Sequence, residues 1–155
     1  MARPPQSLLR NVSWCFALEV PKSRDDMLFD ACFFASFMDL RDPKQDLTQG
    51  LPFSDVRVRY EYGRRPRPPR WYDYEDEDEF EEEEELVRAW RPQEAEIRVV
   101  AGPLSVLTGA DILWDLHIAI AAIINECDDH FFEGLELESA GNGVEPPTYR
   151  VVFAN

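Results

Sequence analysis

The chain has 155 residues, three cysteines, two histidines and a formal net charge of −15. That length suits one domain, since two halves would each be small for a stable core. The charge disfavours nucleic acid as a direct ligand, because its phosphates would be repelled, and favours a partner with a basic protein surface. Cys15, Cys32 and Cys127 are widely spaced within apolar segments. Their odd number argues against a disulfide framework and their spacing against a metal site, so they read as buried thiols in a reducing compartment. No apolar run approaches the ~20 residues of a membrane span, and no signal peptide is recognisable, which makes a cytoplasmic location the expectation.

Met1–Arg10 is a polar lead containing Pro4 and Pro5. Asn11–Val20 (NVSWCFALEV) is rich in strand formers and apolar on both faces, which predicts a central first strand ending at Pro21. Ser23 and Asp26 resemble a capping box, and Leu28, Ala31, Cys32, Ala35 and Met38 then recur at helical spacing. Phe29, Phe33 and Phe37 form a second line four residues apart. The segment reads as a helix, with a strand as the alternative because of its phenylalanines. Arg41–Phe53 has the Asp, Gly and Pro of a connecting loop. Ser54–Tyr62 alternates cleanly, with Val56, Val58, Tyr60 and Tyr62 on one face and Asp55, Arg57, Arg59 and Glu61 on the other. That is a half-exposed strand.

The composition then changes. Arg57, Arg59, Arg64, Arg65, Arg67 and Arg70 are threaded with Pro66, Pro68 and Pro69. Next comes Asp73–Glu85 (DYEDEDEFEEEEE), in which eleven of thirteen residues are carboxylates: Asp73, Glu75, Asp76, Glu77, Asp78, Glu79, Glu81, Glu82, Glu83, Glu84 and Glu85. Without this run the net charge is only about −4, so the acidity is local. Such a stretch buries too little apolar surface to offset the entropy of ordering it. It predicts a solvated, mobile insert over about residues 63–92, an overgrown hairpin loop between neighbouring central strands. Tyr74 and Phe80 lie inside the run, and acid mixed with aromatic side chains is an interaction composition. A solubilising loop, or an acidic run folded over the chain's own arginines, are the alternatives. Leu86, Val87 and Trp90 follow at helical spacing, with Glu84 four residues before Arg88.

Glu94–Ala101 reads as the next strand. Thr108 and Asp111 make a second cap signal, opening a helix through Cys127 with a core stripe of Ile112, Leu116, Ile120, Ile123 and Cys127. Trp114 and Ile118 lie on its other side, where a surface helix normally shows polar residues. That face is either covered within the chain, for instance by the Trp90 segment, or is a partner or dimer surface. His130–Glu138 and Thr148–Ala154 predict an antiparallel hairpin. The order of elements predicts an α+β two-layer sandwich. Its sheet would be antiparallel with about five strands, covered by two main helices in a ferredoxin-like arrangement with an added strand.

Signatures of phosphate-binding loops, nucleophile elbows and zinc proteases are missing from the sequence. The acid–histidine cluster Asp128, Asp129, His130 and Glu133 could serve as a general base or metal site only if these groups converge. His117 could join it only if the helix folds back. A helix-terminal turn followed by a strand start is the plainer reading, so no catalytic residue, metal or cofactor is expected. The C-terminal segments TGADILWDLHIAIAAI, DDHFFEGLEL and PPTYRVVFAN resemble, in their organisation, small bacterial immunity proteins of toxin–immunity pairs. The resemblance implies a small, cytoplasmic, non-catalytic protein that blocks a toxin's active surface, and it transfers no functional residue. The expectation is therefore a binding or inhibitor protein that covers a basic site with Asp73–Glu85, with Trp114 and Ile118 as a second contact. A small enzyme built on the His130 cluster, and an oligomeric adaptor using the Trp114 face, are the alternatives from other classes.

Overall fold

The computed structural model describes residues 3–63, 68–123 and 131–154. The alternation in Ser54–Tyr62 becomes an interior strand, β3 (Asp55–Tyr62), which buries Val56, Val58 and Tyr60 and turns its arginines the other way. On one side β3 pairs antiparallel with β4 (Gln93–Val100), from Asp55 opposite Val100 to Tyr62 opposite Gln93. On its other side it pairs parallel with β6 (Thr148–Phe153), with Arg59 opposite Arg150. β6 pairs antiparallel with β5 (Phe131–Ser139) as a hairpin, as its sequence predicts. Two short strands, β1 (Ser7–Leu8) and β2 (Trp14–Cys15), add to the far side of β5. Among the described residues the sheet order is β1-β5-β6-β3-β4, with β2 also beside β5.

The fold is thus α+β, with a mixed and mostly antiparallel sheet of six strands among the described residues. The expected five-stranded antiparallel sheet with two main helices is matched only in outline. One interior pair is parallel, and the first strand is not central as a ferredoxin-like order would place it. Of Asn11–Val20 only Trp14 and Cys15 pair in the sheet. The stretch is apolar because it runs through the core as irregular chain, burying Val12, Trp14 and Phe16. β5 carries an irregularity at Gly134, whose φ of 132° suits glycine. A Cβ there would lie 3.1 Å from the Leu8 carbonyl oxygen, so glycine also lets β1 approach.

The helices cover the face that carries Val56, Val58, Val99, Leu135, Tyr149 and Val151. Helix α1 (Arg24–Phe37) starts as its cap signal predicts, the Ser23 hydroxyl accepting from the Asp26 N–H at 3.1 Å. It ends with the Leu40 N–H donating to the Ala35 carbonyl at 2.8 Å around Asp39, whose φ is 54°. This is a left-handed terminal turn that more often holds glycine. A short α2 (Lys44–Thr48), inside the segment read as loop, buries Leu47. Beyond the charged insert and β4, α4 (Gly109–Ala121) opens on a complete capping box between Thr108 and Asp111. It buries Ile112, Leu116 and Ile120 of the expected stripe. Ile123 is exposed beyond its end, and the predicted continuation to Cys127 lies outside the described residues. Cys15 and Cys32 are free, half-buried thiols, and burial pushes the Cys32 thiol up. Tyr149 anchors the N-terminal segment by donating to the Pro5 carbonyl at 2.7 Å, and burial pushes its phenol up to about 12.

The other face of the sheet is a charge lattice. Arg150 bonds to Glu61 at 2.9 Å, Glu94 at 3.0 Å and Glu138 at 3.1 Å. Arg59 reaches Glu96 at 3.0 Å and Glu138 at 3.4 Å. Arg57 pairs with Glu145 at 2.7 Å, and Arg98 is bidentate on Asp55. Each exposed pair adds little stability. The lattice occupies the arginines of β3 with carboxylates from within the sheet and its loops.

Candidate functional site

The charged insert joins β3 to β4 across a hairpin stem closed at Tyr62 and Gln93, as its sequence position predicts, although β4 is an edge strand. Most of its acidic run, from Glu77 to Glu85, lies in a helix, α3 (Glu77–Ala89), preceded by a single turn at Trp71–Asp73. Local chemistry explains where the helix lies. Asp76 caps it by accepting from the Asp78 N–H at 2.9 Å, and Glu77, Asp78 and Glu79 fill the first turn, where the helix dipole favours anions. Arg88 occupies the last turn and pairs with Glu84 at 3.3 Å. Tyr74 touches Phe80 with ring centroids 5.9 Å apart, a contact akin to a hydrophobic staple across the helix start. Tyr74's phenol is pushed up, first by desolvation and then by Glu83, Asp73 and Glu79.

No residue of α3 is buried. Of the expected contact residues, Tyr74, Phe80 and Glu84 are half-buried, while Asp73, Glu75, Asp76, Glu77, Asp78, Glu79, Glu81, Glu82, Glu83 and Glu85 are exposed. Among the described residues Glu84 alone in this run has an ion pair. Arg57 and Arg59, candidates for masking the tract, are paired elsewhere, and Arg70 donates to the Tyr72 hydroxyl at 2.8 Å. Arg64, Arg65 and Arg67 lie outside the described residues.

On α4, Trp114 is half-buried and packs against the core, whereas Ile118 is 47% exposed. The polar group next to them is wholly internal. His117 is fully buried, and its Nδ1 accepts from the Trp14 indole N–H at 2.9 Å. Nε2 must therefore carry the proton, which it donates to the Leu18 carbonyl at 3.1 Å. Phe16 and Trp14 close on its ring edge to face. Desolvation lowers its pKa, partly opposed by the Leu18 bond. With both nitrogens engaged, His117 is a pin between α4 and the 14–18 segment. Asp128, Asp129 and His130 lie outside the described residues; Glu133 is exposed. Among the described residues no group of His, Cys, Asp and Glu is placed to hold a metal ion, and no helix is long and apolar enough to cross a membrane.

A surface that sequence pattern did not single out as a site lies on α1. Met27, Ala31 and Ala35 face inward, while Phe29, Phe33 and Phe37 project into solvent, 69%, 63% and 77% exposed. Their rings stack in a row with centroids 6.3 and 6.5 Å apart. Beside this row runs an apolar groove of about 710 Å³, lined by Trp14, Leu18, Phe33, Phe34, Leu40 and Phe131 among others. The four-residue spacing of the phenylalanines is the one signal of it in the sequence. It identifies one face of a helix without saying that the face is left open. No protein-family model, curated protein or solved structure matches the chain.

Proposed function

We propose that this is a non-catalytic binding protein of the bacterial immunity type. It would act in the cytoplasm, neutralising a cognate toxin by covering a basic surface or active site with the acidic run Asp73–Glu85. The observation that carries this reading is the state of α3: a helix of mostly exposed carboxylates, raised on a hairpin stem, with one internal counter-ion among the described residues. A nuclease or nucleotide-using toxin fits, because its site is cationic and the carboxylates can stand in for phosphates. Single exposed pairs contribute little, so the array acts chiefly by steering encounter, with the half-buried rings of Tyr74 and Phe80 as anchors.

The test is a purified pair with the protein that the chain retains in a pull-down from its native host. Replacing Glu81–Glu85 with glutamine keeps length and helix propensity while removing five charges. The on-rate should fall and lose its steep salt dependence, while thermal unfolding is unchanged. Tyr74→Ala and Phe80→Ala should instead raise the off-rate. An on-rate and salt slope equal to those of the unaltered chain would reduce the tract to a solubilising loop. The second reading, an adaptor using the α4 face, draws on the exposure of Ile118.

A further inference from the structure

The open face of α1 is too large to be ordinary surface. At ~200 Å² per aromatic side chain, the exposed fractions of Phe29, Phe33, Phe34, Phe37 and Phe131 leave roughly 600 Å² of ring in water. Leu18 and Leu40, which line the adjoining groove and are about half exposed, bring the apolar patch to roughly 700 Å². Monomers seldom expose more than ~300–600 Å² in one patch, and ~800 Å² is one partner's share of a standard protein interface.

The rim of the adjoining groove is acidic. Glu19, Asp30 and Glu133 line it, and none has an ion pair among the described residues. Sheet register adds a second source of negative charge at the same end of the molecule. β6 runs parallel to β3, with Arg59 opposite Arg150, so Phe153 ends where Tyr62 ends; Phe153 in turn pairs with Phe132 of the groove. The root of the acidic hairpin therefore lies two strand spacings, roughly 10 Å, from the groove.

We propose that the Phe29–Phe33–Phe37 face and its groove dock an amphipathic helix of the partner, one whose apolar stripe is flanked by lysine or arginine. This rests on the reading of a basic partner and gives that partner a shape. Apolar side chains would fill the groove and lie along the ring row, while the flanking cations meet Glu19, Asp30 and Glu133. A second copy of the chain is a poor occupant, since it would bring matching acidic rims and a charge of −15 on each molecule together. An anionic bilayer is repelled for the same reason.

The probe is a 14-residue leucine–lysine peptide with leucine on one helical face, compared with a scrambled peptide of equal composition and one with glutamate for lysine. Titration into the full chain, followed by peptide fluorescence anisotropy, should show binding of the patterned lysine peptide at least tenfold tighter than either control. Phe33→Asp should weaken it tenfold or more. Phe37→Ser, at the most exposed ring, should do so by several-fold, with far-ultraviolet dichroism unchanged in both variants. The glutamine variant of Glu81–Glu85 should keep the peptide affinity within about threefold. Loss of binding in that variant, with none in the phenylalanine variants, would overturn this inference and leave the acidic-tract reading standing. Equal binding of patterned and scrambled peptides would overturn it. So would a dimer of the free chain that Phe33→Asp dissociates, or comparable binding to anionic vesicles.

Discussion

Replacing His117 with phenylalanine tests whether the buried imidazole is the pin that holds the 14–18 segment, and with it one wall of the groove. Phenylalanine is larger than histidine, so some overpacking accompanies the loss of two hydrogen bonds, from Trp14 at 2.9 Å and to Leu18 at 3.1 Å. The Trp14 indole N–H would be left unpaired in the core, at a cost of about 1–3 kcal/mol. Leu18 is 58% exposed, so water can reach its carbonyl and that loss is smaller. The lost hydrogen bonds alone should cost about 2 kcal/mol, or a Tm lower by about 4–8 °C for a chain of this size, with overpacking adding to it and an unchanged urea m-value. Trp14→Phe leaves the opposite partner unpaired. The double variant removes both polar groups, so it should cost less than the sum of the single variants. The pH dependence has a defined sign. Burial lowers the His117 pKa below 6.5, so the native ring stays neutral where the unfolded chain takes up a proton. Stability of the unaltered chain should therefore fall as pH drops below 6.5, and His117→Phe should lose that part of the slope. Asp55, held low by Arg98, acts in a separate window, its contribution being lost as pH falls below 3.8. A cost under about 0.5 kcal/mol for His117→Phe, or strict additivity in the double variant, would refute the pin.

Gly109→Ala should destabilise the chain by about 1–3 kcal/mol in urea titration, although alanine is the better helix former by about 1 kcal/mol. The added Cβ would run into the Asp46 carbonyl and the Leu9 side chain, which pack against the start of α4. Amides of α3 should exchange within seconds in the free chain, because none of its residues is buried and its middle is a run of like charges. Added salt, or the glutamine variant of Glu81–Glu85, should slow that exchange. Strong protection at low salt would instead indicate that the tract folds over cations of its own chain.

What the sequence determined is what neighbouring residues decide among themselves. The Ser54–Tyr62 alternation, the Ser23 and Thr108 caps, the β5–β6 hairpin and the position of the charged insert all depend on groups close together in the chain, and each is legible in the linear order of residues. Even α3 carries local marks, an Asp76 cap and Arg88 near its end, against which the like charges of the run weigh toward a solvated loop. The tertiary structure decided the rest. An apolar run such as Asn11–Val20 looks the same whether it pairs as a strand or threads the core as irregular chain, and the buried Trp14–His117 bond, between residues 103 positions apart, settles which. The spacing of Phe29, Phe33 and Phe37 likewise defines a face but not its neighbour. Met27, Ala31 and Ala35 go inward and leave the ring row open, because a helix has two sides and only packing against distant elements determines which one is covered.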